Sequence, residues 1–325
     1  MSKVLEVENL RISFPDEERR RFYPVDGVSF TLERGRTLAL VGESGCGKSL
    51  TSLALLRLVP APGRIEAGSN IRLGETDVLS LEGDALRHIR GRRIGMIFQD
   101  PMTSLNPVFT VGDQIAEGVR AHFDVSRAEA RQRALRLLQE VGIPDPAERL
   151  KAYPHQLSGG MRQRVMIAIA LSAEPEILVA DEPTTALDVT VQAQILEVLD
   201  HLRATRGMAI LLITHDLGIV AGRADRVAVM YAGQIVEQAP TDRLFATPSH
   251  PYTQGLFASV PRITGPVGRL TPIGGSVPPP TAWPQGCRFR PRCPKAFDKS
   301  ELPPPLLPVG PEHRMRCWLA EERDR

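Results

Sequence analysis

Eight consecutive residues restrict the fold of this chain more than any other feature: Gly42-Glu43-Ser44-Gly45-Cys46-Gly47-Lys48-Ser49. They follow the apolar run Thr37-Leu38-Ala39-Leu40-Val41 and precede the helix-compatible Leu50-Thr51-Ser52-Leu53-Ala54-Leu55-Leu56, giving the order strand, glycine loop, helix. Gly42, Gly45 and Gly47 lack a Cβ, so the backbone can curl around an anion with its N–H groups and the helix N-terminus turned inward. A polyphosphate suits that cradle. Lys48 is placed to reach β- and γ-phosphates, and the Ser49 hydroxyl can ligate a bridging Mg²⁺. The candidate phosphate contacts are therefore Gly42, Ser44, Gly45, Gly47, Lys48, Ser49 and Leu50.

The length of 325 residues suggests about two domains. A formal charge of +2 gives no bulk electrostatic case for nucleic acid, and Arg19-Arg20-Arg21 and the arginines between 90 and 93 read first as solvated faces. No stretch approaches the roughly 18 consecutive apolar residues a membrane helix needs. Met1-Ser2-Lys3-Val4-Leu5-Glu6 lacks the apolar region of a secretory leader, so the expectation is a cytoplasmic protein.

Residues 1 to 36 alternate apolar and polar positions, as in Val4, Leu5, Val7, Leu10, Ile12 and Phe14, then Val25, Val28, Phe30 and Leu32; these predict β-strands. The charged Pro15 to Arg21 predicts a connection between them. Phe14 and Tyr23 are candidates to stack on a nucleotide base, with core packing equally open to either. Arg93 to Phe98 predicts a buried strand that delivers Gln99, whose amide can bind a metal, orient water, or be an ordinary strand-end group. From Pro101 to Ser172 the pattern is helical. Ser126 with Glu129 predicts a capping box, and Ala134, Leu137, Leu138 and Val141 form an apolar stripe before Gly142.

Leu157-Ser158-Gly159-Gly160 opens another helix with Ser158 as N-cap. Two glycines there weaken a helix without local gain, and their exposed N–H groups can grip a second anion. Glu176 to Glu182 predicts a strand of a parallel sheet ending in two acids. Asp181 can hold a Mg²⁺ shell, and Glu182 can take a proton from, or orient, attacking water. After Ala186-Leu187-Asp188 a helix is predicted from about Thr190 to Arg206, with Ile195, Val198, Leu199 and Leu202 on one side and Gly207 as its stop. The strand Ala209 to Thr214 then presents His215, a hydrogen-bond donor to a phosphate or simply a strand-end histidine.

Taken together these residues resemble the nucleotide-binding subunits of ABC transporters. Walker A lies at 42–49, the Q-loop at Gln99, the signature at 157–164, Walker B at 177–182, the D-loop at 186–188 and the H-loop at His215. The resemblance implies a P-loop NTPase fold of the α/β class over residues 1–245. It would have a RecA-like core, an antiparallel β subdomain and a helical subdomain inserted at about 101–172. It also implies a head-to-tail dimer. ATP would then be clamped by Lys48, Ser49, Gln99, Asp181, Glu182 and His215 of one subunit and Ser158, Gly159 and Gly160 of the other. Glu182, His215 and Gln99 would be the hydrolytic residues, and Ser49, Gln99 and Asp181 the Mg²⁺ ligands.

Phe98-Gln99-Asp100-Pro101-Met102-Thr103-Ser104-Leu105-Asn106-Pro107 and Ser249-His250-Pro251-Tyr252-Thr253-Gln254-Gly255-Leu256 are similar to the oligopeptide/dipeptide permease branch of importers. So is Gly286-Cys287-Arg288-Phe289-Arg290-Pro291-Arg292-Cys293-Pro294. That branch implies a homologous second ATPase, as a heterodimer, with two transmembrane permease subunits and an extracytoplasmic binding protein, and it implies that this chain is peripheral at the cytoplasmic face of the membrane. Relatives in it serve peptides, nickel or glutathione, while ABC ATPases that act on DNA or ribosomes form the alternative class. The tail, 246–325, is Pro-rich and predicts an irregular extension. Some members hold a 4Fe–4S cluster there on four cysteines. Here Ser300 stands where the third is expected, leaving Cys287, Cys293 and Cys317, or a Cys₃His zinc site with His313, or three reduced thiols. Cys46 reads as a small filler of the phosphate loop.

Overall fold

The computed structural model of the chain describes residues 2–100, 104–259 and 272–323. Pro101-Met102-Thr103 of the importer-like motif, with 260–271 and 324–325 of the tail, lie outside the described residues. In chain order the positioning elements begin with β1 (Lys3–Pro15), β2 (Arg21–Glu33), β3 (Thr37–Val41), α1 (Lys48–Leu55), β4 (Arg64–Ile65), β5 (Asn70–Leu73) and β6 (Thr76–Asp77). Next come β7 (Ile94–Ile97), α2 (Val111–His122), α3 (Arg127–Glu140), α4 (Gly159–Leu171), β8 (Ile177–Asp181), α5 (Val189–Arg206) and β9 (Ala209–Thr214). The last stretch holds β10 (Arg226–Tyr231), β11 (Gln234–Pro240), α6 (Pro251–Ala258), β12 (Leu307–Gly310) and β13 (His313–Met315).

These elements form two bodies. The first is built from Met1–Val4, Leu32–Arg36 and Asp77–Ile213. Its centre is the parallel run β7-β8-β9, registered from Ile94↔Ile177 and from Ile177↔Ala209. Every residue of β8 and β9 is buried, which is why both read as unbroken apolar runs rather than alternating ones. Helices α2, α3 and α4 pack on one another. The predicted stripe Ala134, Leu137, Leu138 and Val141 is buried there.

Only half of the predicted capping box forms. The Glu129 N–H donates to Ser126 Oγ (3.2 Å), but the Glu129 carboxylate takes Arg133 (2.8 Å), an i,i+4 partner that outcompetes the return bond. Helix α5 begins with Asp188 as its cap, which accepts from the Val191 N–H (2.9 Å), and ends at Gly207, where φ is +62°. Leu196 is buried on it, whereas the predicted Val198 is only half-buried.

The second body holds Leu5–Thr31, Thr37–Thr76 and Thr214–Arg325. One sheet runs β2-β1-β5-β6 with β4 also on β1, and its alternation buries Leu5, Val7, Leu10 and Ile12. In the other, β3 pairs in parallel with β10, followed by antiparallel β11, β13 and β12. Contrary to the irregular tail that proline content predicts, residues 307–315 therefore add two strands. β13 takes its hydrogen bonds from the free edge of β11, a source no local pattern announces, and β12 pairs on β13, with Pro308 in this outermost strand, where a missing N–H is tolerated.

The tail is locked into this body's core. Tyr231, Tyr252 and Phe289 form a buried aromatic trio with ring centroids 4.6 to 5.4 Å apart. The carboxylate of Glu237, fully buried in β11, accepts from the Ser249 N–H (2.6 Å), the His250 N–H (2.9 Å) and His313 Nε2 (2.7 Å). A buried charge with three donors is sustainable where a bare one is not.

Candidate functional site

The phosphate loop enters from β3 and leaves through α1 in the second body. Its glycines answer to different constraints. A Cβ on Gly42 would lie 2.1 Å from the Met230 carbonyl oxygen, so the strand end has no room for one. Gly47 caps α1 with φ at +103°, and its missing Cβ admits the Pro24 carbonyl. Gly45 faces open space. Lys48 is buried and donates to the carbonyls of Gly42 (2.8 Å) and Glu43 (3.0 Å), with Cys46 Sγ at 3.8 Å. A buried ammonium surrounded by carbonyls and a thiol, at a helix N-terminus, suits a polyphosphate as counter-charge. Ser49 opens α1 beside it. Cys46 is fully buried and burial pushes its thiol up, in keeping with a loop filler.

Glu43 is held from afar. Its N–H donates to the Tyr252 hydroxyl (3.1 Å), and its carboxylate receives Arg292 Nη1 on both oxygens (3.0 and 3.2 Å). Burial, then the Glu43 charge, pushes the Tyr252 phenol up, so it stays neutral. Neither contact was foreseeable, although both side chains lie in stretches the sequence singles out.

The aromatic candidates separate. Phe14 stacks on Phe22 (6.1 Å) and fills the space that a Cβ on Gly63 would need. Pro24 and Val25 abut Gly47 of the phosphate loop, and Tyr23 immediately precedes them with Arg11 over its ring (4.7 Å).

The first body brings three predicted residues together. Asp181 is buried at the end of β8, and Glu182 follows with φ at +47°, a left-handed turn of the kind that functional sites tolerate. Its N–H donates to Ile213 O (2.9 Å), fixing the turn. The Glu182 carboxylate accepts from Gln99 Nε2 (3.1 Å) and from Thr185 Oγ1 (2.9 Å). Gln99 is thus a partner of the acid, and Thr185 is a contact that sequence reading missed. These oxygen donors suit a hard cation such as Mg²⁺.

The Ser158 tip lies in the same body. Ser158 caps α4 as predicted, accepting from the Met161 N–H (3.4 Å), and Ser158 and Gly159 are exposed. Gly160 has a packing reason as well, since a Cβ there would meet the Val191 side chain at 2.5 Å. His215 is exposed just beyond β9, in the second body.

The three tail cysteines do not gather. Cys287 and Cys293 pack against the core around the aromatic trio, and burial pushes both thiols up, whereas Cys317 belongs to a separate cluster with Met315 and Ala320. His313 is engaged by Glu237. Ser300, in the position of the expected third cysteine, accepts the Phe297 N–H through its hydroxyl (3.2 Å). Among the described residues no group of three His, Cys, Asp or Glu could hold a metal ion, so they give no support to the iron–sulfur and zinc readings.

A family model described as ABC transporter matches residues 25–185, and one described as oligopeptide/dipeptide transporter, C-terminal region, matches 236–299. The oligopeptide transport ATP-binding protein AppD of Bacillus subtilis is 53% identical over 99% of this chain and 98% of its own length. The dipeptide transport ATP-binding protein DppD of the same organism is 49% identical over 99% and 96%. Among solved structures, the dimeric post-hydrolysis state of the ATP-binding cassette MJ0796 bound to ADP and Pi has a TM-score of 0.64 at 26% identity, covering 73% of this chain and 98% of that one. CbiO1 of Clostridium perfringens, part of the ABC transporter complex cbiONQ, gives 0.65 at 26% over 76% and 92%. With relatives matched along nearly their whole length and two family models in tandem, this chain belongs to the ABC transporter family, in the branch whose ATP-binding subunits carry the oligopeptide/dipeptide transporter C-terminal region.

Proposed function

We propose that this chain is the ATPase subunit that drives import of oligopeptides or dipeptides. The observation that carries the hydrolytic role is the Glu182 carboxylate, pinned by Gln99 and Thr185 at the end of a fully buried strand. A carboxylate held by two neutral donors keeps a fixed direction in which to accept a proton from water. The peptide substrate rests on the names of the relatives at about half identity.

In this reading residues 1–245 form the ATP-binding domain, with a helical subdomain at about 101–172, and 246–325 the extension. Gly42, Ser44, Gly45, Gly47, Lys48, Ser49 and Leu50 hold the triphosphate, Lys48 giving up its loop carbonyls for phosphate oxygens. Ser49, Gln99 and Asp181 hold Mg²⁺, which when bound neutralises charge across the β- and γ-phosphates. Glu182 orients the attacking water, and His215 donates a hydrogen bond to the γ-phosphate. Tyr23, adjoining the residues that pack on Gly47, suits adenine stacking better than Phe14, whose ring is occupied by Phe22 and Gly63.

The Ser158, Gly159 and Gly160 tip serves the nucleotide of a homologous second ATPase in a head-to-tail heterodimer. Two transmembrane permease subunits, fed by an extracytoplasmic binding protein, complete the transporter, with this chain peripheral at the cytoplasmic face. No helix among the described residues is long and apolar enough to cross a membrane itself.

The test is Glu182→Gln in the reconstituted complex. Phosphate release should fall by a factor on the order of 10² to 10⁴ while ATP binding persists. Unchanged turnover refutes the assignment. Stimulation of wild-type turnover by peptide-loaded binding protein, and not by nickel or glutathione, tests the solute.

A further inference from the structure

We infer that the C-terminal extension is a positioning device for the phosphate loop: Tyr252 and Arg292 hold Glu43, and through it set the charge and the lysine geometry that the nucleotide meets. The inference rests on the proposed nucleotide role of that loop.

Glu43 puts a carboxylate into the phosphate loop. It occupies a position of the loop that the phosphate-binding pattern leaves open, and a bare carboxylate beside a triphosphate repels it. Arg292 answers that charge. Its side chain is 5% exposed against 30% for Glu43, and one guanidinium nitrogen spans both carboxylate oxygens. The remaining donors are spoken for, Nε by the Gly274 carbonyl (2.8 Å) and Nη2 by the Ile273 carbonyl (3.4 Å), so the fork is fixed in direction. The Tyr231 ring lies under it at 5.7 Å.

The second hold is on the backbone. The Tyr252 hydroxyl accepts the Glu43 N–H, and the carbonyl of the same residue accepts Lys48 Nζ. Lys48 is therefore two hydrogen bonds from a side chain 204 residues later in the sequence. Tyr252 is itself immobilised in the aromatic trio. The extension touches the neighbouring backbone as well: Trp283 Nε1 donates to Tyr23 O (3.0 Å), and Arg288 Nη1 to Ala232 O (2.6 Å). An element that reaches the lysine, the adjacent acid and the base-side strand can tune affinity without touching ligand.

The experiment is calorimetric titration of the full chain with Mg·ATP, followed by KM and kcat for ATP in the reconstituted transporter. Arg292→Ala should weaken binding roughly tenfold and raise KM alike, with kcat within about twofold. Tyr252→Phe, which keeps the packing and removes one acceptor, should weaken it about threefold. The decisive arm is Glu43→Gln with Arg292→Ala, which removes the uncompensated charge and should restore binding to within about twofold of wild type. A purely structural Arg292 would lower the melting temperature, with no rescue by Glu43→Gln. Unchanged affinity in Tyr252→Phe and Arg292→Ala, or a loss that Glu43→Gln fails to rescue, overturns the inference. Arg290→Ala, which cuts only the exposed pair with Glu301, is the control and should leave affinity unchanged. If the wild-type chain itself binds no Mg·ATP, the nucleotide reading fails first and the inference falls with it.

Discussion

The phosphate loop and the Ser158 tip both lead glycine-rich backbone into a helix, yet one is enclosed and the other exposed. In the loop, Gly42 is pressed against the Met230 carbonyl, Gly47 takes a left-handed turn, Lys48 is buried, and Glu43 is gripped by residues far along the chain. At the tip, neither glycine has a positive φ, Ser158 and Gly159 are exposed, and the one close approach, at Gly160, is to a methyl group of Val191. The same residue type thus serves two ends. In the first region glycine is demanded by the fold; in the second it keeps a surface bare for something outside the body. Replacements in the loop should therefore damage binding and stability together, and replacements at the tip should damage turnover while leaving nucleotide binding intact.

The contrast is sharpest at Lys48. Lys48→Ala removes charge-assisted bonds to phosphate, and Mg·ATP affinity should fall about a thousandfold, or about 4 kcal/mol, measured by calorimetry on the full chain. Ser158→Ala should leave that affinity within about twofold. Equal losses at both sites would erase the distinction.

Acid should attack the loop's side of the molecule first. Burial, opposed by the Glu237 charge, pushes His250 from 6.5 down to about 4, and its Nδ1 accepts the Tyr252 N–H (3.0 Å). The unfolded chain therefore takes up this proton before the folded one does. Stability is complete above about pH 6.5 and declines as pH falls toward about 4, by up to roughly 3 kcal/mol. Urea unfolding at pH 7.5 and pH 5 measures the loss, and His250→Asn, which retains a cap acceptor, should flatten it. An unchanged slope would break the link.

Gly42→Ala should cost about 2 kcal/mol in chemical denaturation, because the carbonyl it meets is backbone and cannot swing aside. Gly159→Ala, whose Cβ would sit 3.6 Å from Leu187, should leave stability unchanged or slightly raised while lowering turnover in the assembled complex. At the cap, Ser158→Ala should lower stability by about 1 kcal/mol.

Much of the site was legible because its chemistry is local. The loop's glycines, Lys48 and Ser49 sit within eight residues, the acids end a visible apolar strand, and the cap at Ser158 needs only three residues to be read. The hydrogen bond from Gln99 to Glu182, 83 residues away, is a contact that the strand-end glutamine alone does not announce. Gly160 looked like an entropic loss until Val191 was seen above it. Arg292 and Tyr252 could not be paired with Glu43 at all, since the sequence carries no trace of which charges meet across some two hundred residues. The same blindness explains the tail. Its prolines and cysteines suggested a loose segment or a metal cluster, but aromatic packing and the open edge of β11 organise it instead.

The span between Glu43 and Arg292, 249 residues, has a consequence during synthesis. A ribosome must deliver these further 249 residues after Glu43 before the loop can acquire its last supports. A nascent or prematurely terminated product would carry every residue of the phosphate cradle and still hold nucleotide weakly. The energy-consuming part of the transporter thus matures only once the extension that carries Arg292 has been made.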